Sequence, residues 1–223
     1  MAQEPSMAFE QAVGVLRQYR GSARSMPRAA ERCELCSAGI GHDHPHLVEL
    51  VTREILCSCD ACAVLFDGLE RSKFKRIPRD VYSLPGFEMS DAQWDGLIIP
   101  INLAFFFRSS IEKRMLALYP SPAGAVESLL TLESWNSIVE PNPVLRHLRP
   151  DVEALLVNRI DRPGNENRLE YFIAPIDACY KLVGLIRSGW RGLSGGAEVW
   201  EEIDRYFGEL RQTAQPAERG MYA

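Results

Sequence analysis

Ile98–Ser110, IIPINLAFFFRSS, is dense in β-branched and aromatic residues, and Arg114–Pro120, RMLALYP, follows it after a short polar break. Such residues suit a pleated backbone, so the two segments predict an antiparallel hairpin. Glu127–Leu132, ESLLTL, reads as a further strand ahead of the helix-like ESWNSIVE, which stops at Pro141. Farther on, Val152–Ile160, VEALLVNRI, and Arg168–Pro175, RLEYFIAP, flank DRPGNEN, whose Pro, Gly and Asn suit a turn. That predicts a second hairpin. The period then changes: Ile176, Tyr180, Val183 and Ile186 share one helical face, and Val199, Ile203, Phe207 and Leu210 share another, with Gly195-Gly196 between them. The sum is an α+β domain, an antiparallel sheet with helices packed on one face.

Working back from the hairpin, Lys73–Leu84 alternates loosely and reads as a strand closed by Pro85-Gly86. Ser90-Asp91 is placed to cap a short helix through Trp94 and Leu97. At the start of the chain, Phe9, Val13, Leu16 and Tyr19 fall at helical spacing, and GSARSMPRAAER reads as a linker. Four stretches follow: a helix and linker over residues 1–29, a cysteine-rich knuckle over 30–68, the α+β domain over 69–212 and a disordered tail over 213–223.

With 46% hydrophobic and 25% charged residues among 223, the composition is that of an ordinary globular protein. The net charge of −5 provides no broad positive field for a polyphosphate, so nucleic acid is not an expected partner. MAQEPSMAFEQAV has no basic start followed by an apolar run, and no apolar stretch approaches the roughly 20 residues that cross a bilayer. The expectation is a cytoplasmic protein without membrane insertion.

Five of the six cysteines lie between 33 and 62. In a reducing compartment such clustering points to metal or redox chemistry rather than to disulfide staples. Cys33-Glu34-Leu35-Cys36 and Cys59-Asp60-Ala61-Cys62 are two C-x2-C pairs, the spacing from which zinc ribbons and treble clefs are built. Each pair on a tight turn can aim both sulfurs at one ion, so Cys33, Cys36, Cys59 and Cys62 are the expected ligands of a closed structural zinc site. Iron in a rubredoxin-like electron-transfer centre is the alternative, because softness and geometry do not separate the two metals. The segment holds more ligands than one ion needs. Cys57 extends the second pair to C-x-C-x2-C, and His42, His44 and His46 alternate in the loop between the pairs. Cys57, His44 and His46 are candidate additional or substitute ligands; the competing reading leaves His42 and His44 solvated in a polar loop.

Outside this stretch no catalytic constellation is recognisable, and a non-enzymatic role is expected. Cys179 lies on an apolar helical face and reads as a buried structural cysteine. His147 has no cysteine or serine partner evident in sequence. Arg191, in GWRGLSGG ahead of a helix, is a candidate anion contact, although such loops also simply connect helices. Trp94, Trp135, Trp190 and Trp200 read as core or interface anchors. The order CELC, HPHL, LCSCDAC resembles the histidine-containing ββα (HNH-like) nucleases, which implies His44 or His46 as general base. The chain departs from that pattern, because no histidine follows Cys62 until His147.

The motifs CELC, HPHLVEL, LCSCDACAVLFDG, IPINLAFFFRSS, YPSPAGAVESLL, NPVLRHLRPDVEALLVNRI and IDACYKLVGLIRSGWRGLSGGAEVWEEI together resemble a bacterial family of unknown function. Its members tend to be encoded beside actinobacterial-type uptake NiFe-hydrogenase genes. The likeness runs from about residue 30 to residue 207. It implies an accessory role, with a hydrogenase subunit or maturation factor as protein partner.

Overall fold

The structure, a computed structural model, describes residues 31–67, 69, 72–160, 169–192 and 195–217. The helix expected over Phe9–Tyr19, the linker up to residue 30 and the turn at 161–167 lie outside the described residues.

Both predicted hairpins form. β7 (Leu103–Ser109) pairs antiparallel with β8 (Arg114–Ser121), and β10 (Glu153–Asn158) with β11 (Glu170–Pro175), whose first residue pair is Glu153 opposite Pro175. β10 also pairs with β7, setting Leu155 opposite Phe106, so the two hairpins join into one sheet. β9 (Gly124–Ser128) extends it at one edge. At the other edge come β6 (Tyr82–Ser83) and β12 (Gln215–Pro216), and the β6–β12 pairing is parallel. The order is β12-β6-β11-β10-β7-β8-β9.

The helices do not lie on one face, as the sequence reading has it. α4 (Ile176–Gly189) and α5 (Ala197–Thr213) cover one side, where Cys179, Leu182, Ile203 and Phe207 meet Phe105, Leu116, Leu156 and Phe172. On the other side α2 (Asp91–Asp95), α3 (Leu132–Val139) and a 3-10 turn (Pro143–His147) bring Trp94, Trp135, Ile138 and Leu145 against Phe106, Ala117, Leu155 and Ile173. The reason is in the central strands. Successive side chains point to opposite faces, and every residue of β10 and β11 is buried, so neither face can be left to water.

Local chemistry explains several boundaries. Ser90 caps α2 in a reciprocal capping box with Gln93. Thr131 caps α3 through the Ser134 N–H, so ESLLTL does not continue as a strand beyond Ser128, and Leu129 stands 89% exposed. The strand expected over Lys73–Leu84 is two short ones belonging to different sheets, β5 (Phe74–Arg76) and β6, with Pro78, which has no N–H to donate, between them. The tail is ordered for longer than expected: α5 runs to Thr213 and β12 pairs with β6, while 218–223 lie outside the described residues.

The cysteine-rich segment builds a second, three-stranded antiparallel sheet, β4-β3-β5, from β3 (His46–Glu49), β4 (Ile55–Cys57) and β5. Its sheet thus reaches beyond residue 68. Val48 and Ile77 are buried in the same apolar cluster as Phe105 and α4, which seats the small sheet on the large one. Before it, β1 (Glu31–Arg32) and β2 (Gly39–Ile40) form a two-residue ladder around CELC, and after it comes α1 (Asp60–Asp67).

Candidate metal centre

The first cysteine pair sits on a tight turn between β1 and β2. The Cys33 N–H donates to the Ala38 carbonyl at 2.8 Å and the Ser37 N–H to the Cys33 carbonyl at 2.7 Å, with Ser37 in the left-handed region at φ 62°. The second pair opens a helix: Cys59 precedes α1, Cys62 lies in its first turn, and the Cys62 N–H points at the Cys59 sulfur at 3.5 Å.

The two pairs converge. The Glu34 N–H donates to the Cys57 carbonyl at 2.9 Å, and the Glu34 carboxylate accepts from the Cys57 N–H at 2.5 Å, tying the first turn to the strand that leads into the second pair. The sulfurs of Cys33, Cys36, Cys59 and Cys62 all lie within 4.8 Å of one another. Cys36 Sγ and Cys59 Sγ are 3.6 Å apart. That is too long for a disulfide of about 2.05 Å, and near the separation of about 3.8 Å that two sulfurs take at 2.3 Å from a tetrahedral ion. All are free thiols.

Their acidities differ. Burial works against ionising Cys33, but N–H groups of Cys59, Cys36 and Leu35 aimed at its sulfur outweigh it and bring the thiol down to about 6. Burial, followed by the sulfurs of Cys59, Cys36 and Cys33, pushes Cys62 up to about 12. For Cys36 an N–H from Ala38 favours the thiolate, yet the neighbouring sulfurs of Cys33 and Cys59 prevail and raise it.

The surplus ligands assemble separately. His44, His46 and Cys57 bring their ligand atoms within 4.8 Å of one another as a second group. His46 and Cys57 are direct cross-strand partners on β3 and β4, and His44, two residues before His46, falls on the same side. Buried Ser58 clamps the arrangement, because both its N–H and its hydroxyl donate to the Pro45 carbonyl at 2.9 Å. His46 Nδ1 lies 2.6 Å from Asp177 Oδ2, on the first turn of α4. Nothing in the sequence pairs residue 177 with residue 46. An acidic residue opening a helix is the one signal available, and it names no partner.

Other expected residues resolve plainly. Cys179 is fully buried, and burial raises its thiol far above the ordinary value, which suits a packing role. Arg191 turns its guanidinium to the Ser188 and Trp190 carbonyls at 2.9 and 3.0 Å, capping the end of α4. Trp94 and Trp135 are buried, while half-buried Trp190 and Trp200 pack edge to face at 6.0 Å. Among the described residues no helix is long and apolar enough to cross a membrane.

Fold and site together define an α+β protein with antiparallel sheets and four clustered cysteines at metal-ligand spacing. The chain belongs to a family of unknown function, DUF5947, whose model matches residues 32–214 and so takes in both cysteine pairs and both hairpins. No curated protein and no solved structure matches it.

Proposed function

We propose that this chain is a non-enzymatic metal-binding accessory protein, in which Cys33, Cys36, Cys59 and Cys62 hold one structural zinc ion and the module so formed docks a protein partner. The observation that carries the reading is the convergence of four sulfurs from a tight turn and a helix start, 23 residues apart in their nearest members, Cys36 and Cys59. Turn, β3–β4 hairpin and helix follow in the order of a treble clef, whereas a zinc ribbon carries its second pair on another turn. Four thiolates leave no coordination position open, so the ion's task is to hold the module together. The outer side of α1 exposes Val64 at 65% and Leu65 at 59%, apolar surface suited to a partner. A hydrogenase subunit or maturation factor is the partner implied by the family resemblance, and a cytoplasmic location agrees with reduced thiols.

Elemental analysis of protein purified without added metal tests the first half, with Cys33→Ser and Cys62→Ser as controls. A zinc equivalent that the wild type holds and both variants lose is the expected result. Red protein that bleaches on reduction would assign iron and electron transfer instead. Affinity capture from a native host tests the partner: recovery of a hydrogenase component with the wild type but not with Leu65→Asp is expected, and its absence from both would discard that partner.

A further inference from the structure

We propose that His44, His46 and Cys57 form a second metal site, which takes a divalent cation of borderline softness such as Zn2+, Co2+ or Ni2+ and keeps a coordination position open. The inference does not rest on the four-cysteine reading, since it uses none of those sulfurs.

The hydrogen bonds around the imidazoles fix their tautomers. His44 Nδ1 faces the Gly41 carbonyl at 2.7 Å and the Glu31 carboxylate at 3.3 Å, and His46 Nδ1 faces the Asp177 carboxylate at 2.6 Å. These partners only accept, so each Nδ1 carries the proton and each Nε2 of a neutral ring presents a lone pair. The two Nε2 atoms lie 3.2 Å from each other. Two lone pairs at that distance repel, and a cation bound by both removes the repulsion. The spacing suits it: nitrogens about 2.0–2.1 Å from a tetrahedral ion stand about 3.3–3.4 Å apart. The Cys57 thiol, opposite His46 on the neighbouring strand, supplies the third ligand.

The surroundings are those of a metal site. A carboxylate behind a ligating imidazole orients the ring and strengthens it as a donor, and Asp177 stands in that relation to His46. Asp177 comes from α4, in the large domain, so the site is braced from two parts of the fold. Glu31, 3.3 Å from His44 Nδ1, and Glu34, which accepts from the Cys57 N–H at 2.5 Å, add negative charge that attracts a cation. Three protein ligands are one fewer than a closed tetrahedron needs, and the His46 side chain is 32% exposed, so a water or an exchanging ligand can complete the shell. The imidazole–thiolate donor set selects borderline cations over Mg2+ and Ca2+, which prefer oxygen.

The alternative is a single proton shared between the two Nε2 atoms, with His46 as an imidazolium against Asp177. Titration of the reduced, chelator-stripped full chain with Co2+ separates the two. The expected result is two equivalents bound, with distinct absorption for the four-thiolate and the mixed nitrogen-sulfur sites. Cys57→Ser and His44→Ala should each abolish the mixed-site bands while the four-thiolate spectrum persists, which also reports that the module has folded. Asp177→Asn should weaken the mixed site by about 10–100-fold. One equivalent in the wild type, or two that are indifferent to Cys57, His44 and Asp177, would overturn the proposal. Loss of the four-thiolate bands alone would instead count against the structural zinc site.

Discussion

The large sheet and the cysteine-rich segment reach order by different physical routes. In the sheet, two apolar clusters sandwich the central strands, with Phe105 and Phe106 fully buried on opposite faces. Between β1 and α1, the local cluster has just Cys33, Ile40 and Cys62 buried, with Leu35, Cys57, Cys59 and Phe66 partly so. Ordering a residue costs about 1–2 kcal/mol of backbone entropy, while apolar burial returns only about 25 cal/mol per Å2. So small a local cluster offers little burial against that cost. On the proposed reading the sheet stands on burial and the knuckle on its metal.

The largest effect expected from that contrast is on chelation. Structural zinc contributes on the order of 10 kcal/mol to a small module, so stripping the metal should abolish amide protection across residues 31–67 while β7, β10 and β11 keep theirs. Hydrogen exchange read by mass spectrometry checks this, and a sheet that loosened equally would erase the contrast. The converse change is Phe105→Ala, at 0% exposure in the core. It should destabilise the large domain by about 3–5 kcal/mol and leave metal content as it was. Denaturant unfolding and elemental analysis, run on the same sample, measure both.

Acidity sharpens the same comparison. At pH 7 Cys33, at about 6, is already largely ionised, whereas Cys36 is raised and Cys62 stands at about 12. Binding needs thiolates, so uptake should release at least two protons per ion, from Cys36 and Cys62. Apparent affinity therefore rises with pH, and it falls further as pH drops through about 6, where Cys33 protonates as well. Calorimetric titration in two buffers of different ionisation enthalpy counts the protons. The large domain, with no thiol in the exchange, should show no such dependence.

What was legible in the sequence divides along the same line. Ligand spacing is local, so the two cysteine pairs could be named before any fold was known, and strand composition with turn residues was enough to find both hairpins. Helices on both faces, rather than the one expected, follow from Leu103–Phe107, LAFFF, which is apolar at successive positions rather than at alternate ones, the mark of a strand covered on both sides. Pro78 within Lys73–Leu84 was likewise a visible break between two sheets. Asp177 was out of reach: its meeting with His46 spans 131 residues and depends on how the small sheet seats against α4.

That seat offers the smallest and most discriminating effect. Lys75 on β5 donates to Asp151 Oδ2 at 2.6 Å, while Asp151 Oδ1 accepts from the Ser110 N–H at 2.7 Å, at the end of β7. Asp151 is 5% exposed and holds φ at 71°, a conformation that aspartate tolerates better than most residues. One carboxylate thus joins the small sheet to the large one. Replacing it by alanine leaves the Ser110 N–H without its acceptor and the Lys75 ammonium with the Pro150 carbonyl at 3.3 Å, at a cost of about 1–3 kcal/mol. For a domain of this size that lowers the melting temperature by a few degrees, about 2–4 °C per kcal/mol. If the two regions are coupled through this contact, Asp151→Ala should also speed amide exchange in β5 with the metal still bound. A variant that melts earlier yet leaves β5 protected would mean that the large domain uses Asp151 for its own turn, and that apolar contact through Val48 and Ile77, with the His46–Asp177 contact, carries the seat.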